Sequence, residues 1–197
     1  MDGYKKIMLH PEQITGVILA GGKSRRFGSN KALCKYGDKT FLRHLIDLIR
    51  PYTREVVIAG CHPEYHEEGI PVLQDAYPDM GPVGGIYTAL RQSGTPWILA
   101  LTCDMPLISK EVIMLLLASG RGEEVIGWRH DAVAVLFPML IAKTALPDIE
   151  RAIESKRYRV KQLFERGRSR KIPIPDTLLP RFANINTRED YKNAIYD

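Results

Sequence analysis

A chain of 197 residues has the length of one domain with a single large core, and 45% hydrophobic with 26% charged residues is the balance of an ordinary soluble globular protein. The net charge of +5 suits anionic ligands such as phosphates without singling them out. Cys34, Cys61 and Cys103 are too few and too scattered for a disulfide framework or a four-thiolate zinc site, and they fit a reducing cytoplasm. The longest apolar runs, such as 112–118, fall far short of the roughly 20 residues of a membrane span.

Residues 1–13 are mixed polar, lack the apolar centre of a signal peptide, and read as a short, loosely ordered lead-in to a domain over 14–197. Ile14–Leu19 is a short β-branched run stopped by Gly21 and Gly22, the pattern of a buried strand. Phe41–Ile49 has helical apolar spacing, with Thr40 as N-cap and Pro51 just beyond its end. Glu55–Ala59 reads as a second strand and 70–73 as a third, leading to Asp75. A helix over 85–92 and a strand over 97–101 ending at Asp104 come next, then a helix over 110–118 capped by Ser109. Segments 124–128 and 132–138 read as paired strands, 148–154 as a helix, 159–165 as a short helix and 171–175 as an edge strand. From Asp176 the chain turns through 181–186 into a last helix capped by Thr187.

This alternation predicts one doubly wound α/β domain with a mostly parallel, Rossmann-like sheet. Ligands in such sheets bind beyond the carboxyl ends of the strands, which draws attention to the loop after 14–19. There Gly21, Gly22 and Gly28 let the backbone bend sharply and bring N–H groups against an anion, and Arg26 and Lys31 add positive charge at the same mouth. The loop matches neither G-x-G-x-x-G nor G-x-x-x-x-G-K-[ST], so dinucleotide-binding and Walker-type readings lose ground. Alone it is equally a surface turn carrying a few solvated bases.

The longer string decides between these. Residues 19–33 read L-A-G-G-K-S-R-R-F-G-S-N-K-A-L and resemble the signature of the molybdenum cofactor guanylyltransferases, L-A-G-G-x-S-x-R-M-G-x-D-K-A-L. The segments G-P-V-G-G over 81–85, T-C-D-M-P over 102–106 and F-A-N-I-N-T over 182–187 resemble further motifs of that family in the same order. The resemblance runs from Ile14 to the C-terminus. It implies transfer of GMP from GTP to the phosphate of a molybdopterin-type cofactor, with Mg²⁺ as cofactor and pyrophosphate as leaving group. GTP and the pterin are then the small-molecule partners, molybdoenzyme-maturation proteins are candidate protein partners, and neither nucleic acid nor membrane is involved. The implied nucleotide site comprises Leu19, Ala20, Gly21, Gly22, Lys31, Asp75, Gly81, Gly85, Asp104 and Asn186. Lys31, Arg26 and Asp104 would act on the triphosphate, and Asp104 would hold the metal.

Each residue also has a plainer reading. Asp104 could cap loop N–H groups, although a carboxylate at a strand end is what a hard, oxygen-seeking cation needs. Asp75 lies in a D-A-Y-P sequence with turn chemistry. Gly81, Gly84 and Gly85 suit either a base lying close or tight helix-to-sheet packing, and the two are compatible. Asn184 and Asn186 point the same way in an extended segment, and Thr187 already serves as the helix cap. His62 and His66 are spaced i, i+4 beside Cys61, but Pro63 interrupts and a solvated loop is expected rather than a metal site. The basic run 166–171 lacks interleaved aromatics and reads as a solvated turn.

Four departures from the family pattern stand out. Phe27 replaces a Met, and Asn30 replaces the Asp before the lysine, which removes a negative charge. Ala59, Gly60 and Cys61 stand where asparagines are frequent, and Asp131, Ala132 and Val133 replace a Q-P-L segment, weakening pterin-side recognition. Rival functions are a cytidylyl- or sugar-phosphate nucleotidyltransferase of similar fold and a non-catalytic nucleotide- or cofactor-binding module.

Overall fold

The computed structural model describes residues 9–21, 30–77, 80–120, 122–131, 133–156, 159–165 and 168–196, the last three of these by backbone alone. At its centre is a seven-stranded sheet formed by β1 (Ile14–Leu19), β4 (Glu55–Ala59), β5 (Val72–Leu73), β6 (Trp97–Thr102), β7 (Val125–His130), β8 (Val133–Ala142) and β9 (Ser169–Pro173). Two further short strands, β2 (Lys35–Tyr36) and β3 (Lys39–Thr40), make a separate hairpin. The strand order is β5-β4-β1-β6-β8-β7-β9, and only β8 runs against the rest. The α/β, mostly parallel architecture is the one that the alternating pattern predicts.

The topology itself locates a crevice. From β1 the chain winds outward to β4 and β5, then returns to place β6 on the other flank of β1. Strand order therefore reverses between β1 and β6, the point at which open α/β sheets bind ligands. Leu19 is in register with Ala59 on one side and Thr102 on the other, so three strand ends finish level at this edge.

Helices cover both faces. A Cβ on Gly16 would lie 2.7 Å from Ile49 Cδ1, at the end of α1 (Phe41–Ile49). A Cβ on Gly85, in α2 (Pro82–Gln92), would lie 2.9 Å from Leu19 Cδ2. Residues 16 and 19 point to opposite faces of a strand, so α1 and α2 lie on opposite faces of the sheet. Every residue of β1 is buried, which is why that strand reads as a mostly apolar run without alternation, its one polar side chain, Thr15, being hydrogen-bonded to Thr95 and Ser93. The remaining helices are α3 (Lys110–Leu117), α4 (Leu146–Glu154) and α5 (Arg188–Tyr196).

Several boundaries differ from the sequence expectation for identifiable reasons. The α2 helix begins at Pro82 rather than at 85, because Gly81 takes φ 57° and launches the helix with proline in its first turn. β8 continues to Ala142 instead of stopping at Pro138. The β7–β8 pairing skips from Ile126/Leu140 to Trp128/Val135, so Pro138 falls in a gap of that ladder and just beyond the last β6 pair at Met139. A proline there forfeits no ladder bond, and its carbonyl instead accepts the Trp128 indole N–H at 2.9 Å. The third strand shortens to two residues, the edge strand shifts to Ser169–Pro173, and 159–165 holds a 3₁₀ helix, Val160–Phe164.

Thr40 caps α1 by accepting the Arg43 N–H at 3.0 Å, as expected. Ser109 occupies the cap position of α3 without a side-chain cap bond. The loop expected around His62 and His66 is instead a 3₁₀ helix, Pro63–Glu68, that buries Tyr65. Residues 1–8 of the expected lead-in lie outside the described residues. Pro11–Gln13 is a 3₁₀ turn with reciprocal capping bonds between His10 and Gln13.

Candidate active site

The ends of β1, β4 and β6 deliver Ala20, Gly60 and Asp104 to one edge. Ala20 N–H extends the ladder to Ala59 O at 2.8 Å, and Cys103 N–H bonds Leu19 O at 3.4 Å, so both turns leave the sheet from fixed points. Asp104 is partly buried, and its Oδ1 is fully enclosed with no hydrogen-bond partner among the described residues. A buried carboxylate oxygen without a donor is costly unless a cation or donor meets it. The capping alternative therefore has no supporting bond at that oxygen.

The C-terminal segment returns to the same edge. Ile185 N–H donates to Asp104 O at 2.7 Å, and the buried Ile185 side chain packs with Phe41. This anchor carries Asn186 to Lys31, whose Nζ donates to Asn186 Oδ1 at 3.0 Å. Thr187 and Asp190 then cap α5 reciprocally, because Asp190 N–H donates to Thr187 Oγ1 at 3.0 Å while Asp190 Oδ2 accepts the Asn186 and Thr187 N–H groups at 2.8 Å. Those two backbone bonds, in that order the strongest influences, hold the Asp190 carboxyl below its usual pKa. Residues separated by 155 positions, Lys31 and Asn186, are thus brought together beside Asp104.

Cys103 precedes Asp104 in the chain. Burial, followed by the neighbouring carboxylate, pushes its thiol far above its ordinary pKa, so it remains a protonated packing residue and not a nucleophile.

A second wall comes from the turn after β5. Asp75 Oδ1 accepts the Tyr77 N–H at 2.8 Å, which is the turn role anticipated for it. The same carboxylate abuts Gly84, where a Cβ would lie 2.5 Å from Tyr77 O and 2.7 Å from Asp75 Oδ1. Thr88 Oγ1 ties the corner together by donating to Gly84 O and accepting the Ala76 N–H, both at 3.0 Å. Gly84 and Gly85 are therefore packing glycines, with Gly85 closed in by Leu19 and Ala59. Gly21 and Gly81 differ, for a Cβ on either would meet nothing within 4 Å among the described residues. Gly22 and Arg26 lie outside the described residues.

Residues 16–171 match the family described as the MobA-like NTP transferase domain. The chain belongs to this family. Among its relatives, a "Probable molybdenum cofactor guanylyltransferase" of Flavobacterium johnsoniae is 32% identical over 91% of this chain and 95% of that protein. One of the same name from Halalkalibacterium halodurans is 31% identical over 93% and 98% of the two chains. The crystal structure of molybdopterin-guanine dinucleotide biosynthesis protein A from Archaeoglobus fulgidus superposes with a TM-score of 0.78 over 92% of this chain and 97% of that one. At 24% identity this likeness establishes the fold. As a MobA-like NTP transferase, the chain is a nucleotidyltransferase.

Against the family pattern, the departures at Asn30 and Gly60 meet at a residue that sequence reasoning missed. The Tyr65 hydroxyl can donate to Ala20 O at 3.0 Å or to Asn30 Oδ1 at 3.1 Å and accepts the Asn30 Nδ2–H at 3.1 Å, while Asn30 Oδ1 also accepts the Ala32 N–H at 3.1 Å. The signal was slight: one aromatic residue inside the polar run P-E-Y-H-E-E, just past a strand end. His62 is half-buried against the Tyr65 ring and His66 is exposed. No group of three or more His, Cys, Asp or Glu suited to a metal occurs among the described residues. In the basic run, Arg168 pairs with Glu124 at 3.2 Å and Arg170 with Glu123 at 3.7 Å, which uses two of its charges in surface ion pairs.

No described helix is long and apolar enough to cross a membrane, and the three cysteines are unpaired.

Proposed function

We propose that the protein transfers GMP from GTP to the terminal phosphate of a molybdopterin-type cofactor in the cytoplasm, with Mg²⁺ as its metal. The observation that carries this reading is the enclosed Oδ1 of Asp104, without a partner among the described residues, beside the Lys31–Asn186 pair at the point where strand order reverses. That oxygen suits a hard cation, and a carboxylate with an amide oxygen nearby is an oxygen donor set of the kind Mg²⁺ takes. When bound at Asp104, Mg²⁺ would neutralise charge on the triphosphate oxygens. The names of its relatives, molybdenum cofactor guanylyltransferases, support the guanine nucleotide and the molybdenum-cofactor acceptor.

The chain's own residues would act by position. Ala20 and Gly21 would offer their backbone to the phosphates, with no described side chain within 4 Å of a Cβ at Gly21, and Lys31 supplies positive charge held in place by Asn186. Arg26 and Gly22 belong to the same loop in sequence. Leu19, Gly81 and Gly85 would shape the floor beneath the nucleoside, with Asp75 at its rim. An oxygen of the acceptor phosphate forms the new bond to the α-phosphorus in line as the bond to the β-phosphate oxygen breaks and pyrophosphate leaves. The acceptor oxygen is already ionised, so neither a protein nucleophile nor a general base is required, and catalysis rests on orientation and charge stabilisation.

The test supplies α-labelled GTP, Mg²⁺ and the pterin acceptor. Label should appear in the pterin product in a one-to-one ratio with released pyrophosphate, and CTP or UTP should substitute poorly. Nucleotide binding with no pyrophosphate would instead identify a non-catalytic module, and preference for CTP would move the protein to the cytidylyl branch.

A further inference from the structure

We infer that Tyr65 is the positioning residue that fixes Ala20 relative to Lys31 in the triphosphate site, and that Asn30 is an amide because this arrangement requires one. The inference rests on the reading of that edge as a triphosphate site. One hydroxyl bonds both Ala20, where the chain leaves β1, and Asn30, one residue before Lys31.

Proton counting shows why an amide is needed. A phenol has one proton and can accept besides. Two acceptors lie within its reach, Ala20 O at 3.0 Å and Asn30 Oδ1 at 3.1 Å; when the proton goes to Ala20 O, the group at position 30 must itself donate for that bond to be kept, which Asn30 Nδ2 does at 3.1 Å. Asn30 Oδ1 is then available for the Ala32 N–H that opens the 3₁₀ turn Lys31–Leu33. An ionised aspartate at 30 has no proton to give. Tyr65 would have to choose between that carboxylate and Ala20 O, leaving one acceptor unsatisfied in a buried setting. Burial pushes the Tyr65 phenol up to about 12, with Asn30 pulling weakly the other way, so the hydroxyl keeps its proton at any working pH.

The ring's seat is equally specific. A Cβ at position 60 would lie 2.9 Å from Tyr65 Cε2 and 3.2 Å from the Ala20 carbonyl carbon. Any side chain there, including the asparagines frequent in the family, would displace the ring. The short helix that carries Tyr65 is held from its other end, because Arg43 Nη2 donates to Glu68 O at 2.9 Å and pairs with Glu68 Oε2 at 2.5 Å. Gly60, Tyr65 and Asn30 thus form one set, and two of the three are positions where the chain departs from the family pattern.

The experiment measures GTP·Mg²⁺ affinity by calorimetry, together with KM and kcat, in the wild type, Tyr65→Phe, Asn30→Asp and the double variant. Each single change should weaken GTP binding about tenfold, the worth of one buried hydrogen bond, with kcat nearly unchanged. The double variant should be no worse than the weaker single. Lowering the pH to about 4, the ordinary range of an aspartate, should narrow the gap between Asn30→Asp and wild type, because a protonated carboxyl can again donate. Asn30→Asp binding GTP as well as the wild type does, or single effects that multiply in the double variant, would overturn the inference while leaving the triphosphate site standing. A wild type that binds no nucleotide would instead remove the site reading and this inference with it. Should Tyr65→Phe fail to fold, Asn30→Asp and its pH profile decide alone, since Asn30 is only half-buried.

Discussion

The glycines at this edge have distinct tasks, and single substitutions separate them. Gly84 has no room for a Cβ, since the nearest obstacle at 2.5 Å is the Tyr77 backbone carbonyl, which cannot swing aside as a flexible side chain would. Gly84→Ala should therefore lower stability by about 1–3 kcal/mol, read as a shifted denaturant midpoint at constant slope. At Gly21 a Cβ would meet nothing within 4 Å among the described residues. Gly21→Ala should leave stability within about 0.5 kcal/mol of wild type yet weaken GTP binding, since the new methyl would stand where phosphates approach the backbone. Equal loss of stability in both variants would contradict this division. The carboxylates divide in the same way: Asp75 spends Oδ1 on the Tyr77 N–H, whereas Asp104 Oδ1 has no protein donor among the described residues. Sequence alone left both with two readings, because the difference lies in which N–H groups come within reach after folding.

At the scale of elements, the site depends on segments whose own stability can be tuned. Asn186 directly precedes the Thr187 cap of α5, and Asp190 binds both their N–H groups. Thr187→Ala should cost about 1 kcal/mol of stability through the lost cap. It should also weaken GTP binding, because the Lys31–Asn186 bond is anchored there; unchanged affinity would detach α5 from the site. The Tyr65 segment makes a pH prediction. Its phenol has a folded-state pKa raised to about 12 against an ordinary value of about 10. The stability it contributes is fully present below about pH 10 and is lost as pH rises from there towards 12, because the unfolded chain releases that proton first. Tyr65→Phe should show a shallower loss of stability in that window than wild type, measured by denaturant melts at stepped pH. Element types were legible from apolar spacing and caps, as in Phe41–Ile49, while boundaries failed where one residue carried two meanings. Pro138 looked like a strand terminus but occupies a gap in the ladder, and the helix expected over 85–92 starts three residues earlier, at Pro82. The Tyr65 helix was missed because 3₁₀ segments have almost no apolar period of their own.

Over the whole molecule, the reversal of strand order does the assembling. It sets β1 and β6 side by side with their ends level, so that loops distant in sequence open onto one crevice. The C-terminal segment closes the circuit through Ile185, which bonds Asp104 O and packs on Phe41 at the start of α1. The doubly wound sheet was readable from alternating patterns, and the ordered motifs at 19–33, 81–85, 102–106 and 182–187 marked the edge. What they could not convey was division of labour. Packing and ligand roles both favour glycine, aspartate and asparagine at strand ends, and only the folded contacts separate them. Asp104 is proposed to hold the metal on which nucleotidyl transfer depends. Pyrophosphate release from GTP, with Mg²⁺ and the pterin acceptor, is followed for wild type and Asp104→Asn side by side, with thermal melts of both. Asp104→Asn should melt at or above the wild-type temperature, its enclosed charge removed, while pyrophosphate release falls about a hundredfold or more, on the order of a lost electrostatic contribution to the transition state. Release at the wild-type rate from a folded Asp104→Asn protein would remove the metal role from this carboxylate.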